Sequence, residues 1–107
     1  MTREEAYKLV TEWTENKNLV KHMLAVEAQM KALAKHFDED EESWGLCGLV
    51  HDADYEKWPE EHPRKLIAEL EKRNEPDWLV NGVRAHAWGF NGMDTEPSNK
   101  MEWAIYN

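Results

Sequence analysis

The 107-residue sequence contains one cysteine, Cys47, so no internal disulfide can form. That usage fits a reducing compartment. No apolar run approaches the roughly 20 residues that a bilayer-spanning helix needs. The opening Met1-Thr2-Arg3-Glu4-Glu5 is not a signal peptide. The chain therefore reads as soluble and cytoplasmic, with no membrane partner. Positive charge is scarce: 13 Lys and Arg stand against 22 Asp and Glu, for a net charge of -9. Such a field repels phosphate backbones and argues against nucleic acid as a polymeric partner. It leaves room for a small phosphorylated substrate if metal ions supply positive charge locally. Gly-rich phosphate loops, CxxC pairs, a Ser-His-Asp order and internal repeats are all absent, and strand signals are nearly so.

Helical signals fill the rest. The length corresponds to one domain, residues 1–107, able to bury roughly two-thirds of its unfolded surface. Thr2 and Glu5 have capping-box spacing and open a first helix to about Asn16. A second is expected over Leu19–Phe37, with Val26, Met30 and Leu33 at helical spacing. A third, Ser43–Asp52, follows the acidic run 38–42 and is apolar nearly all round, which makes it the central, buried helix. Further helices are expected over Pro63–Arg73, Pro76–Ala87 and, capped by Ser98, Asn99–Tyr106. The expected fold is all-α, a bundle of five to six helices.

Five histidines are present, and four share a placement. His22 lies on the face of Val26, Met30 and Leu33. His51 follows Trp44 and Cys47, His62 precedes Leu66 and Leu70, and His86 follows Leu79 and Val83. An inward imidazole without a partner is costly. A single one would be a core residue bonded to a carbonyl, but four on separate helices are most simply explained by convergence on one centre. Asp52, beside His51, adds a carboxylate. Neutral imidazole and carboxylate suit divalent transition metals such as Fe, Mn, Zn or Ni, as one or two ions. His36, next to Phe37 and the acidic run, reads as solvated.

The segment Trp44-Gly45-Leu46-Cys47-Gly48-Leu49-Val50-His51-Asp52-Ala53-Asp54-Tyr55-Glu56 resembles the signature segment of the HD-domain metal-dependent phosphohydrolases. Leu19–Glu27, with His22, resembles that superfamily's upstream ligand helix. Glu61-His62 and Arg84-Ala85-His86 match two later positions of its two-metal branch. The resemblance implies the metal ligands His22, His51, Asp52, His62 and His86. Asp52 would bridge, with His22 and His51 on one ion and His62 and His86 on the other. In such hydrolases the ions bind a phosphate oxygen and acidify the attacking water; in a di-iron branch the same ligands activate oxygen. The resemblance also implies a last ligand Asp on a later helix, about two residues beyond Asn107. Asp94, the terminal carboxylate or water would stand in for it.

Among the other residues, His51, Asp52 and Asp54 form the candidate catalytic group. Asp54 is either a hydrogen-bond acceptor behind the ligands, a general base or a turn-capping residue. Lys57, Arg64 and Lys65 are either phosphate contacts or solvated surface charge. Trp44 and Trp103 read as core. Trp58 and Trp88, in loops beside ligands, would roof the pocket or make a homo-oligomer surface. Cys47 reads as a small buried hydrophobe. Three functions follow from this set. The first is a metal-dependent phosphohydrolase of a small phosphorylated compound, such as a nucleotide. The second is a di-iron oxygenase, and the third a catalytically silent, metal-stabilised binding or oligomerisation domain.

Overall fold

The computed structural model describes residues 1–107 as six helices and no strand. Helix α1, Arg3–Trp13, starts at the expected capping box. Thr2 Oγ1 accepts from the Glu5 amide, and the Glu5 carboxylate accepts from the Thr2 amide at 2.7 Å. Helix α2, Lys17–His36, begins two residues earlier than the periodicity suggests. The Asn16 side chain caps it by accepting from the amides of Asn18 and Leu19, so the residue expected to end the first helix starts the second.

The buried face of α2 is Met23, Glu27, Met30 and Ala34. The expected stripe through Val26, Met30 and Leu33 is therefore rotated. Only Met30 of that set is buried, and Leu33 is exposed. Glu27 holds its buried place because Arg3 of α1 donates to both of its oxygens, from Nε at 3.0 Å and Nη2 at 3.1 Å. A buried carboxylate needs such a partner.

Helix α3, Glu41–Val50, is capped by Asp40, whose carboxylate accepts from the Ser43 amide. Glu41 and Glu42 complement the dipole in its first turn. Trp44, Gly45, Cys47, Gly48, Leu49 and Val50 are all buried, and α3 packs on α1, α2, α5 and α6. It is the central helix. Its close seat on α2 depends on Gly48, where a Cβ would lie 2.9 Å from the Val26 carbonyl oxygen.

Turns lead to α4, Arg64–Lys72, and then to α5, Asp77–His86. Leu66, Leu70, Leu79 and Val83 of these helices are fully buried. Each such side chain contributes roughly 1.5–3 kcal/mol through burial. Helix α6, Lys100–Tyr106, is capped by Asn99 rather than Ser98. Ser98 instead bonds the buried Glu102 carboxylate. Trp44 is core as expected, but Trp103 is 41% exposed. No helix is long and apolar enough to cross a membrane.

Candidate metal centre

Two of the central histidines sit at helix C-termini, where the last carbonyls lack helical partners. His51 caps α3, and its Nδ1 lies 2.7 Å from the Gly48 carbonyl oxygen. His86 ends α5 and pairs its Nδ1 with the Val83 carbonyl oxygen. Both rings thus use the carbonyl three residues back. His62 precedes α4 and uses a side chain instead: its Nδ1 lies 2.5 Å from Asp54 Oδ1. An oxygen acceptor that carries no hydrogen makes Nδ1 the protonated nitrogen in all three rings. Each Nε2 then carries a lone pair.

Those three Nε2 atoms turn onto Asp52. Its Oδ2 lies 3.1 Å from His51 Nε2 and 3.8 Å from His22 Nε2, while its Oδ1 lies 3.3 Å from His62 Nε2 and 3.5 Å from His86 Nε2. The carboxylate therefore separates two donor groups, His22–His51–Asp52 and Asp52–His62–His86. Within each, the ligand atoms lie within 4.8 Å of one another. His62 Nε2 and His86 Nε2 are 3.2 Å apart. With both Nδ1 protons committed, the neutral rings turn two Nε2 lone pairs toward each other. A cation shared by the two nitrogens relieves that contact, so the donor set fits a metal ion.

The charge states agree. Burial pushes the Asp52 carboxyl up, but hydrogen bonds and positive charge on the Nε2 side of His51 and His86 outweigh it and hold the group well below the usual carboxylate range. With neutral rings and bare Nε2, a cation between them would supply that positive charge. Burial lowers the His86 pKa against the pull of Asp52, and the neighbouring His51 and His62 lower it further. A carboxylate and a neutral imidazole are the donor forms a metal requires. Cys47 is a different case. Burial, with Glu102 nearby, pushes its thiol up to about 12, so it stays protonated.

His22 differs from the other three. Its side chain is 55% exposed and stands at the rim, not on an inward face. His36 is exposed and meets Phe37 edge-on, apart from the centre. Asp54 is fully buried, and both its oxygens are engaged, one with His62 and the other with the Leu66 amide at 3.0 Å. Asp94 is exposed and belongs to neither donor group.

Two cavities flank the cluster. One, of about 790 Å³, meets His22, His51 and His86 and is walled by Val26, Met30 and the end of α6. The other, of about 540 Å³, meets Asp52, His62 and His86 and is rimmed by Leu19, Tyr55 and Phe90. Lys57, Arg64 and Lys65 line neither. Lys57 and Lys65 lie over the Trp58 ring, and Arg64 donates to the Asn91 carbonyl oxygen. Trp58 and Trp88 do not roof the cluster: Trp58 packs on Trp13, and Trp88 on Trp103 and Tyr106. The aromatic rings at the site are Tyr55, Phe90 and Tyr106. Their signal in the sequence was position alone, Tyr55 and Phe90 each lying within four residues of a ligand-type residue.

A helical bundle that gathers four histidines on one carboxylate defines a metal-binding class of helical domains. Residues 19–103 match the family model described as HD domain, and the chain belongs to that family. No curated protein and no solved structure matches the chain.

Proposed function

We propose that the chain is a metal-dependent phosphohydrolase of a small phosphorylated compound. One observation carries the reading: three rings with Nδ1 committed turn Nε2 onto the two oxygens of a single carboxylate. Asp52, His62 and His86 would hold one divalent ion, and Asp52, His51 and His22 a second. Fe, Mn, Zn and Ni all accept such nitrogen and oxygen donors. A bound divalent ion supplies Lewis acidity toward a phosphoryl oxygen and acidifies water.

The chain's own groups do the positioning. The Gly48 and Val83 carbonyls and the Asp54 carboxylate fix three rings in the ligating tautomer, as partners behind metal-bound histidines do. Asp54, with both oxygens occupied, acts here as a positioning residue rather than a general base. Asp52 stays ionised between the two donor groups.

Purified protein titrated with each metal and assayed on a panel of phosphate esters tests the reading. Turnover is expected only with metal and is lost in Asp52→Asn and His62→Ala. The lack of lysine and arginine on either cavity favours one rival, a metal-stabilised domain without turnover. Tight metal binding with no hydrolysis of any ester would establish that rival. Iron-dependent colour and oxygen consumption without ester turnover would establish the oxygenase.

A further inference from the structure

We propose that the cavity beside His62 selects a phosphate ester whose organic part is a planar, apolar group, received by Tyr55 and Phe90. The inference rests on the phosphohydrolase reading of the same site and adds its substrate class. Tyr55 and Phe90 approach His62 edge-on, with ring centroids at 5.5 and 6.0 Å. Both line the cavity that contains Asp52 and His86, yet they are 43% and 46% exposed. Core packing therefore does not account for either ring.

Phe90 is held where it is. Gly89, Asn91 and Gly92 around it all have positive φ, at 85°, 49° and 75°, a conformation that Gly adopts freely and Asn tolerates. The Asn91 amide donates to the Pro59 carbonyl at 3.1 Å and to the His62 carbonyl at 2.8 Å. Arg64 donates to the Asn91 carbonyl. The loop is thus tied to the backbone that carries His62, while the Phe90 ring stays open to solvent. An exposed apolar ring at a fixed distance from a ligand-type histidine is the arrangement a binding rim requires.

Apart from the ligand-type residues His22, Asp52, His62 and His86, the lining is carbon-rich: Leu19, Tyr55, Ala87 and Phe90. No lysine or arginine reaches the cavity, Asp52 is its one carboxylate, and the Tyr55 hydroxyl is its one side-chain hydroxyl. Phosphate recognition then falls to bound metal, and the remainder of the ligand meets carbon. An aryl ester would lay its ring on Tyr55 and Phe90, whereas a sugar phosphate would find only His22 and the Tyr55 hydroxyl beside its hydroxyls. The volume of about 540 Å³ accommodates a ligand of that size.

The test is calorimetric binding of phenylphosphonate and methylphosphonate, neither of which is hydrolysed, to the manganese-loaded protein. Phenylphosphonate should bind roughly tenfold tighter, and Phe90→Ala should reduce that preference about fivefold, the scale of an aromatic contact. Methylphosphonate affinity and manganese uptake should not change. Phe90→Leu and Tyr55→Leu, which keep apolar bulk without the same ring faces, should give intermediate losses. Equal affinity for the two phosphonates, or equal weakening of both by Phe90→Ala, would overturn the aromatic rim and leave the phosphohydrolase reading standing. Failure of both phosphonates to bind manganese-loaded protein would overturn that reading, and this inference with it.

Discussion

Asp54 Oδ1 lies 2.5 Å from His62 Nδ1 while its Oδ2 accepts from the Leu66 amide at 3.0 Å, so one buried carboxylate orients a candidate ligand and anchors the start of α4. Removing it affects both. In Asp54→Ala the His62 Nδ1–H and the Leu66 N–H lose their acceptor in a buried site, at a cost of about 1–3 kcal/mol for each unpaired group. Metal affinity should fall roughly 10- to 100-fold, the usual consequence of losing a group behind a ligating histidine. Thermal unfolding in chelator measures the first effect and metal titration the second. Unchanged metal affinity in a folded Asp54→Ala protein would remove Asp54 from the site.

At Gly48 α3 meets the main chain of α2, since its missing side chain lets the α3 backbone approach Val26 and Glu27. Gly48→Ala gains about 1 kcal/mol in helix propensity but overpacks against main chain, which typically costs about 1–3 kcal/mol. The second effect should win, because a backbone carbonyl cannot swing aside. Gly82→Ala is the control. Its Cβ would meet the ends of Cys47 and Met101, and Met101 can move. Denaturant midpoints should fall more for Gly48→Ala than for Gly82→Ala, and the reverse order would refute the assigned cause.

The capping box at the start of α1 gives a prediction with a pH sign. The Thr2 amide, followed by the Thr2 hydroxyl, lowers the Glu5 pKa in the folded chain. A carboxyl depressed by folding stabilises above its unfolded pKa of about 4.3 and loses that contribution as pH falls through the lower folded value. The stability gap between wild type and Glu5→Gln should therefore be constant near neutrality and shrink below about pH 4.3. Thr2→Ala should cost roughly 1 kcal/mol at neutral pH. A Glu5→Gln gap that widens toward acid would contradict the box.

The helix count, the central place of α3 and the gathering of His51, Asp52, His62 and His86 were legible because each depends on short-range pattern: caps, an apolar segment and histidines at core spacing. The rotation of α2 was not. It depends on Glu27, a carboxylate that periodicity assigns to solvent, being drawn inward by Arg3 from another helix. Trp103 misled for a related reason: hydrophobicity marks what can be buried, and the end of α6 leaves that ring partly open. Of the three readings of Asp54, its contacts with His62 Nδ1 and the Leu66 amide match two, an acceptor behind a ligand-type ring and a cap, and sequence spacing carries neither contact. The binding rim was least legible, since Tyr55 and Phe90 are brought to His62 by turns with no periodic signal.

The two donor groups should differ in affinity, because their histidines differ in restraint. His62 and His86 are nearly buried, and each has its second nitrogen tied. His22 is 55% exposed and stands 3.8 Å from Asp52, and its other nitrogen makes no hydrogen bond within the chain. Ordering such a side chain on an ion costs rotamer entropy that the tied rings have already lost. Titration with manganese or zinc should therefore show a tight event and a weaker one. His86→Ala should abolish the tight event, whereas His22→Ala should remove only the weak one. The tight ion should stabilise the fold by roughly 2.7 kcal/mol at a hundredfold excess over its dissociation constant, so wild type and His22→Ala should both melt lower in chelator. His86→Ala should lose most of that difference. Two events of equal affinity, or loss of the tight one in His22→Ala, would show that restraint of the rings does not set the order of binding.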